Sequence, residues 1–206
     1  MTVDELLARA RAQVGHKARS LQEPQAGERA IYQLGAGALD PSAPHPWGEG
    51  EDGACDCSAF SCWCLGVSKL QRGFRWLVQL NGGWLNTDGI WTDAQHESGF
   101  FERLERPLVG CALVYPSAKV AKLPGTPPIG HVGIVTALDA QGRAAKVIHC
   151  SSGNYRKTGD AIQETDATVF SRVGATLAAW CATVERPEQA RPKKEAPCRP
   201  ISAPLS

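Results

Sequence analysis

The sequence predicts an α+β fold in which helices come first and an antiparallel sheet follows. Three observations predict it. Val3, Leu6, Leu7, Ala10 and Val14 recur at helical spacing, and a second apolar helical pattern begins after Asp56. Between residues 111 and 150 the pattern changes to short β-branched runs bounded by Gly or Pro. The last two of these runs are joined by Asp139-Ala140-Gln141-Gly142, a turn sequence that makes them antiparallel neighbours.

Taken in order, residues 3 to 14 form the first amphipathic helix. Residues 27 to 53 are rich in Gly and Pro and read as a long ordered loop. A helix should start at Asp56 or Cys57 and end near Gly66, with Asp56 as N-cap and Gly66 in the glycine position past the C-cap. Phe60, Trp63, Cys64 and Val67 share one face, which should pack on the sheet. A Trp-bearing stretch from Lys69 to Arg106 holds a short helix from Thr87 or Asp88 to His96, capped by Asp. Strands are expected at Cys111 to Tyr115, His131 to Ala137, Ala145 to Cys150 and Thr176 to Val184. Residues 1–184 should form one domain, with long segments at about 41–53 and 69–106. Residues 185–206, with five prolines and little apolar surface, read as a disordered tail.

Composition narrows the function classes. The 206 residues are 43% hydrophobic and 21% charged, enough for one core and too few for two ordinary domains. A net charge of +1 gives no electrostatic reason to bind nucleic acid or an anionic membrane. No stretch approaches the ~20 apolar residues of a membrane span. The acidic, interrupted N-terminus is unlike a secretory signal. The expectation is therefore synthesis in the cytoplasm, with another agent delivering the protein to any target outside it.

The residues with chemistry lie in three places. Cys57 falls in the first turn of its helix, beside unpaired N–H groups and the positive end of the helix dipole, where a thiol pKa is expected to fall. Alone, it reads first as one more buried thiol among eight cysteines. His131 starts a strand between Gly130 and Gly133, which leaves open space beside its ring. His149 lies on the following strand. A hairpin register with paired numbers summing to 280 would set His149 opposite His131 on the same face, where one ring can fix the tautomer of the other; a one-residue slip would put Cys150 there and send the rings to opposite faces. A metal reading of Cys55, Cys57, Cys62 and Cys64 fits poorly: Cys-x-Cys-x4-Cys-x-Cys is not structural-zinc spacing, and Cys57 and Cys64 lie two helical turns apart. No metal or cofactor is expected.

These motifs carry a resemblance. Asp-Cys-Ser-Ala-Phe at 56–60 resembles the Asp-Cys-Ser-Gly-Phe motif of NlpC/P60 cysteine peptidases, Gly-His-Val-Gly-Ile-Val at 130–135 their His motif, and Ile-His-Cys-Ser-Ser at 148–152 their third strand. Tyr32 resembles the family's tyrosine upstream of the nucleophile. The resemblance spans about residues 28 to 155. It implies a papain-like core that cleaves peptide bonds in peptidoglycan stem peptides, often between D-glutamate and diaminopimelate. Cys57 would be the nucleophile, His131 the base and His149 the orienting group, with Tyr32, Asp56 and Ser58 lining the substrate's amino end. The backbone N–H of Cys57 would help hold the oxyanion. Ala59 departs from the motif's Gly, and Cys111 stands where an Asp often begins the Leu-Val-Tyr strand. Other readings keep the triad and change the bond: an amidase cutting between muramic acid and L-alanine, or an acyltransferase or thioesterase. A degraded relative that only binds the wall is a further alternative. A phage-type lysin or a secreted antibacterial effector, the latter with secretion machinery and an immunity protein as partners, are the roles such a hydrolase suggests.

Overall fold

The structure, a computed structural model, describes residues 1–20, 39–49, 53–96 and 99–187. Tyr32, and the tail from residue 188, lie outside the described residues. In chain order the elements are α1 (Val3–Arg11), β1 (Arg19–Ser20), β2 (Ala54–Cys55), α2 (Cys57–Cys64), α3 (Arg75–Asn81), α4 (Thr87–Asp93), β3 (Phe101–Leu104), β4 (Ala112–Tyr115), α5 (Ala118–Ala121), β5 (His131–Leu138), β6 (Ala144–Cys150), α6 (Ser152–Thr158), β7 (Ile162–Asp166), α7 (Thr168–Ser171) and β8 (Leu177–Cys181). Six strands form one sheet in the order β3-β8-β4-β5-β6-β7, every neighbouring pair antiparallel. β1 and β2 make a separate two-residue parallel pair. This is the expected α+β class, a helix laid on an antiparallel sheet in the papain-like manner.

Helix α1 forms because Thr2 and Glu5 make a reciprocal capping box, a device that contributes about 1 kcal/mol. Its buried face is Leu6, Leu7 and Ala10, while Val14 lies beyond the helix and is exposed. The chain's first residue closes on the turn that follows β8: the Met1 ammonium donates to the Thr183 carbonyl at 2.9 Å, and Glu185 N–H donates back to Met1 O.

Helix α2 is capped by Asp56, which accepts from Ala59 N–H. It ends in a Schellman motif, with Val67 N–H on Cys62 O and Gly66 N–H on Trp63 O at a Gly66 φ of +69°. All eight of its residues are buried, so the expectation of one packed face is too narrow. The sheet takes one side. On another, Trp63 donates to Ala43 O and lies under the Arg9 guanidinium, 3.8 Å from the ring centroid. A helix covered all round needs apolar residues all round, which Cys, Ala, Phe and Trp supply.

The segment 69–106 is structured as α3, α4 and β3. α3 is seven residues long with no side-chain cap, which leaves little sequence signal. α4 is capped by Asn86 rather than by Asp88 and stops at Asp93, short of His96. Asp88 instead accepts from Ser117 N–H and Oγ–H at 2.7 and 2.9 Å, tying α4 to the end of β4. The sequence pattern predicts neither β3 nor β7. Both are edge strands, and β7 reads Ile-Gln-Glu-Thr-Asp, a polar run that suits an edge and hides a period-2 signal.

The β5–β6 hairpin departs from the expected register. The observed partners are Ile134↔Ile148 and Val135↔Val147, which sum to 282 rather than 280. The turn explains it. Asp139 and Arg143 close the loop, Asp139 N–H donating to Arg143 O, so the turn is centred on Gln141 rather than on Ala140, and Gly142 takes φ +74°. A shift of two keeps every side chain on its expected face. It places His149 beside Gly133 instead of opposite His131.

Candidate active site

Cys57 occupies the first position of α2 and is 7% exposed. Its location follows from the edge of a ladder. Val135 and Cys111 are bonded through their backbones, so odd-numbered residues here turn their amides to β4 and even-numbered ones turn toward β6. The β5–β6 ladder ends at Ile134↔Ile148. The next amide facing that side belongs to Val132, which lies near enough to the Cys57 thiol to pull its pKa down. The sulfur therefore lies near the backbone one residue along from His131.

His131 begins β5, opposite Tyr115, and is 9% exposed. Its Nε2 lies 2.7 Å from His149 Nδ1, the rings standing at 85°. Its face stacks on Phe170 with centroids 5.3 Å apart and planes 19° apart. Two glycines make the arrangement possible. A Cβ at Gly130 would lie 2.4 Å from Thr87 Oγ1 and 2.7 Å from Tyr115 O. One at Gly133 would lie 2.8 Å from His149 Cβ, so only a bare backbone lets the His149 ring lean diagonally over to His131. The far nitrogen of that ring, Nε2, is 3.0 Å from Thr165 Oγ1 on β7.

Asp56 has work inside the fold. Its carboxylate accepts from Ala59 N–H at 2.6 Å, from Ser58 Oγ–H at 2.8 Å and from the Lys69 ammonium at 2.6 Å. Both Ser58 and Lys69 are buried. Burial raises the Asp56 pKa, but the Lys69 charge and these hydrogen bonds outweigh it and hold the carboxyl below its usual range. Asp56 and Ser58 thus meet each other and Lys69 beside the thiol.

The electrostatics reverse one expectation. Burial, and after it the Asp56 carboxylate, push the Cys57 thiol up to about 12, against the pull of Lys69 and the amides of Val132 and Ser58. Burial, then His149, push His131 down to about 3. Burial likewise lowers His149 to about 4, although the Asp166 charge opposes it. The resting site holds a neutral thiol and two neutral imidazoles. Desolvation of charge outweighs the helix terminus here.

Sequence reasoning missed Lys69, Phe170 and Thr165. None carries a local signal: each reaches the site from an element placed there by long-range pairing or packing. The remaining described cysteines are buried free thiols. Cys55 and Cys150 lie with sulfurs 3.6 Å apart, and Cys62 contacts Leu85 O. Trp47 is buried and stacked on His45, and Trp91 donates to Ala175 O, so both serve packing.

The stretch of sequence that carries this thiol and both rings is matched by a family model. The model described as "CHAP domain" covers residues 47–154, more than half of the chain and all three motifs. The chain belongs to the CHAP domain family. CHAP domains fall in the NlpC/P60-like superfamily of cysteine peptidases and amidases that hydrolyse peptidoglycan, so the chain carries a hydrolase domain of that kind. No curated protein matches the chain significantly. Among solved structures, that of Ly7917 is similar at 17% identity with a TM-score of 0.40, over 86% of this chain. The CHAP chain spans 62% of the length of that one. No helix among the described residues is long and apolar enough to cross a membrane.

Proposed function

We propose that this CHAP protein cleaves peptidoglycan by a cysteine mechanism in which Cys57 is the nucleophile, His131 the general base and His149 the group that orients it. The observation that supports this best is the 2.7 Å contact of His131 with His149, with the Cys57 thiol near the amide of the adjoining Val132. His131 Nδ1 is the ring nitrogen not engaged with His149. The thiol passes its proton to that nitrogen as sulfur attacks the carbonyl carbon. The Cys57 backbone N–H, at the mouth of α2, holds the developing oxyanion. His131 then gives the proton to the leaving nitrogen, which leaves a thioester. Water, deprotonated by the same ring, releases the acyl product and restores the thiol.

The bond we favour is the peptide link between D-glutamate and diaminopimelate in stem peptides, on the motif resemblance at 56–60, 130–135 and 148–152. The CHAP match brings in amidases as well, so cleavage between muramic acid and L-alanine is the second reading. Tyr32 stays in the proposal as a residue at the substrate's amino end. Asp56 and Ser58 enter it as the cap that fixes the thiol. A wall substrate implies action in the periplasm or cell wall, as a phage-type lysin or a secreted antibacterial effector. A neighbouring holin gene would favour the first, and an immunity-protein gene the second.

Incubation with purified peptidoglycan, with mass spectrometry of the released fragments, tests both bond and residues. Cys57→Ala and His131→Ala should each reduce release by about a thousandfold or more, and His149→Ala by less. New diaminopimelate amino termini identify the endopeptidase, and freed L-alanine amino termini identify the amidase. Release by folded Cys57→Ala protein at the wild-type rate would end this reading.

A further inference from the structure

We infer that Thr165 is a positioning residue which, anchored on the backbone carbonyl of Asp166, sets the direction of the hydrogen-bond chain through both histidines and leaves Nδ1 of His131 bare to receive the thiol proton. The inference rests on the catalytic reading above and extends the site by a fourth side chain, from a strand absent from all three motifs.

Burial keeps both imidazoles neutral near pH 7, so each ring has one N–H and one lone pair. The contact between His131 Nε2 and His149 Nδ1 at 2.7 Å needs one N–H, and either ring could supply it. The next contact, His149 Nε2 with Thr165 Oγ1 at 3.0 Å, is just as ambiguous by itself, because a hydroxyl can give or take. The third contact is not ambiguous. Thr165 Oγ1 lies 3.0 Å from Asp166 O, and a carbonyl oxygen only accepts. With its one proton given to that carbonyl, Thr165 offers His149 a lone pair. His149 then carries its proton on Nε2 and presents a lone pair at Nδ1. His131 must donate from Nε2, which leaves Nδ1 unprotonated.

The opposite direction gives a base with its proton on the wrong side. If Thr165 donated to His149, each ring would be protonated at Nδ1, and His131 would present N–H to a thiol that also has only a proton to give. A wrongly placed proton on the base lowers turnover while leaving substrate binding alone. The geometry that delivers Thr165 is the pairing of β6 with β7, where Val147 faces Thr165 and His149 faces Gln163. Residues 147, 149 and 165 share one face of the sheet, so the hydroxyl reaches the ring diagonally.

The test is Thr165→Val, which keeps the shape and removes the hydroxyl, against Thr165→Ser, which keeps it. Position 165 is half-buried on an edge strand, where Val suits the backbone. Imidazole ¹⁵N–¹H correlation spectra at pH 7, recorded in the Cys57→Ala protein, read the tautomers without turnover. Protons on Nε2 of both rings are expected in this parent and in its Thr165→Ser variant. A second population protonated at Nδ1 is expected for Thr165→Val. On peptidoglycan, with Cys57 intact, Thr165→Val should lose about tenfold in kcat with KM little changed, and Thr165→Ser should retain the wild-type rate. Unchanged ring tautomers in Thr165→Val, or Nδ1 protonation in the parent, would overturn the inference. An active Cys57→Ala enzyme would instead remove the catalytic reading, whatever the spectra show.

Discussion

A methyl group added at Gly133 would meet Val147 Cγ1 at 2.6 Å, His149 Cβ at 2.8 Å and Ile148 O at 3.0 Å. None of these is the loose end of a flexible chain, so β5 and β6 would have to move apart. Gly133→Ala should therefore cost about 1–3 kcal/mol of stability, as overpacking does. Hydrolysis should fall with it, because His149 can no longer lean onto His131. Urea midpoints and fragment release measure the two effects, and wild-type values for both would show the crossing to be looser than described. The hydroxyl of Thr165 and the ring face of Phe170 act at this same scale, each by holding an imidazole in one orientation.

At the scale of the element, α2 depends on the pair that caps it. Lys69 and Asp56 meet at 2.6 Å with side chains only 5% and 16% exposed. Lys69→Met would leave the carboxylate desolvated and without its cation, a change that costs about 3–5 kcal/mol when a buried pair is broken from one side. Adding Asp56→Asn should return part of that loss, since an amide still caps the helix without bringing a charge. A loss below about 1 kcal/mol for Lys69→Met in thermal unfolding would place the pair with exposed ones and contradict its burial. The hairpin acts at this scale too: moving the centre of the turn by one residue slides the partner strand by two, and face is preserved while neighbour identity changes.

For the whole molecule, the buried histidines and thiols set a pH window. His131 and His149 titrate at about 3 and about 4 in the folded chain against about 6.5 when unfolded. Their neutral forms thus contribute fully above pH 6.5, and that contribution drains away as pH falls toward 4. Cys57 and Cys111 are raised to about 12 and Cys181 to about 11 by burial, against about 8.5 unfolded. Their contribution is complete below pH 8.5 and declines above it. Stability should peak between about pH 6.5 and 8.5, and His149→Asn should flatten the acid side. A melting temperature that stays level from pH 7 to pH 5 would contradict this.

The sequence by itself determined what local rules control: the class, the capped helix that presents Cys57, and the strands that carry His131 and His149. Short range suffices there, because a cap, a period and a turn each act within a few residues. Tertiary structure alone decided which atoms meet. The register of β5 on β6, the arrival of Lys69 under Asp56, the stacking of Phe170 and the reach of Thr165 from an edge strand all depend on pairings between distant segments. So does the charge state, since burial is a property of the packed whole, and here it sets the thiol and imidazoles neutral where the helix terminus alone pointed to a thiolate.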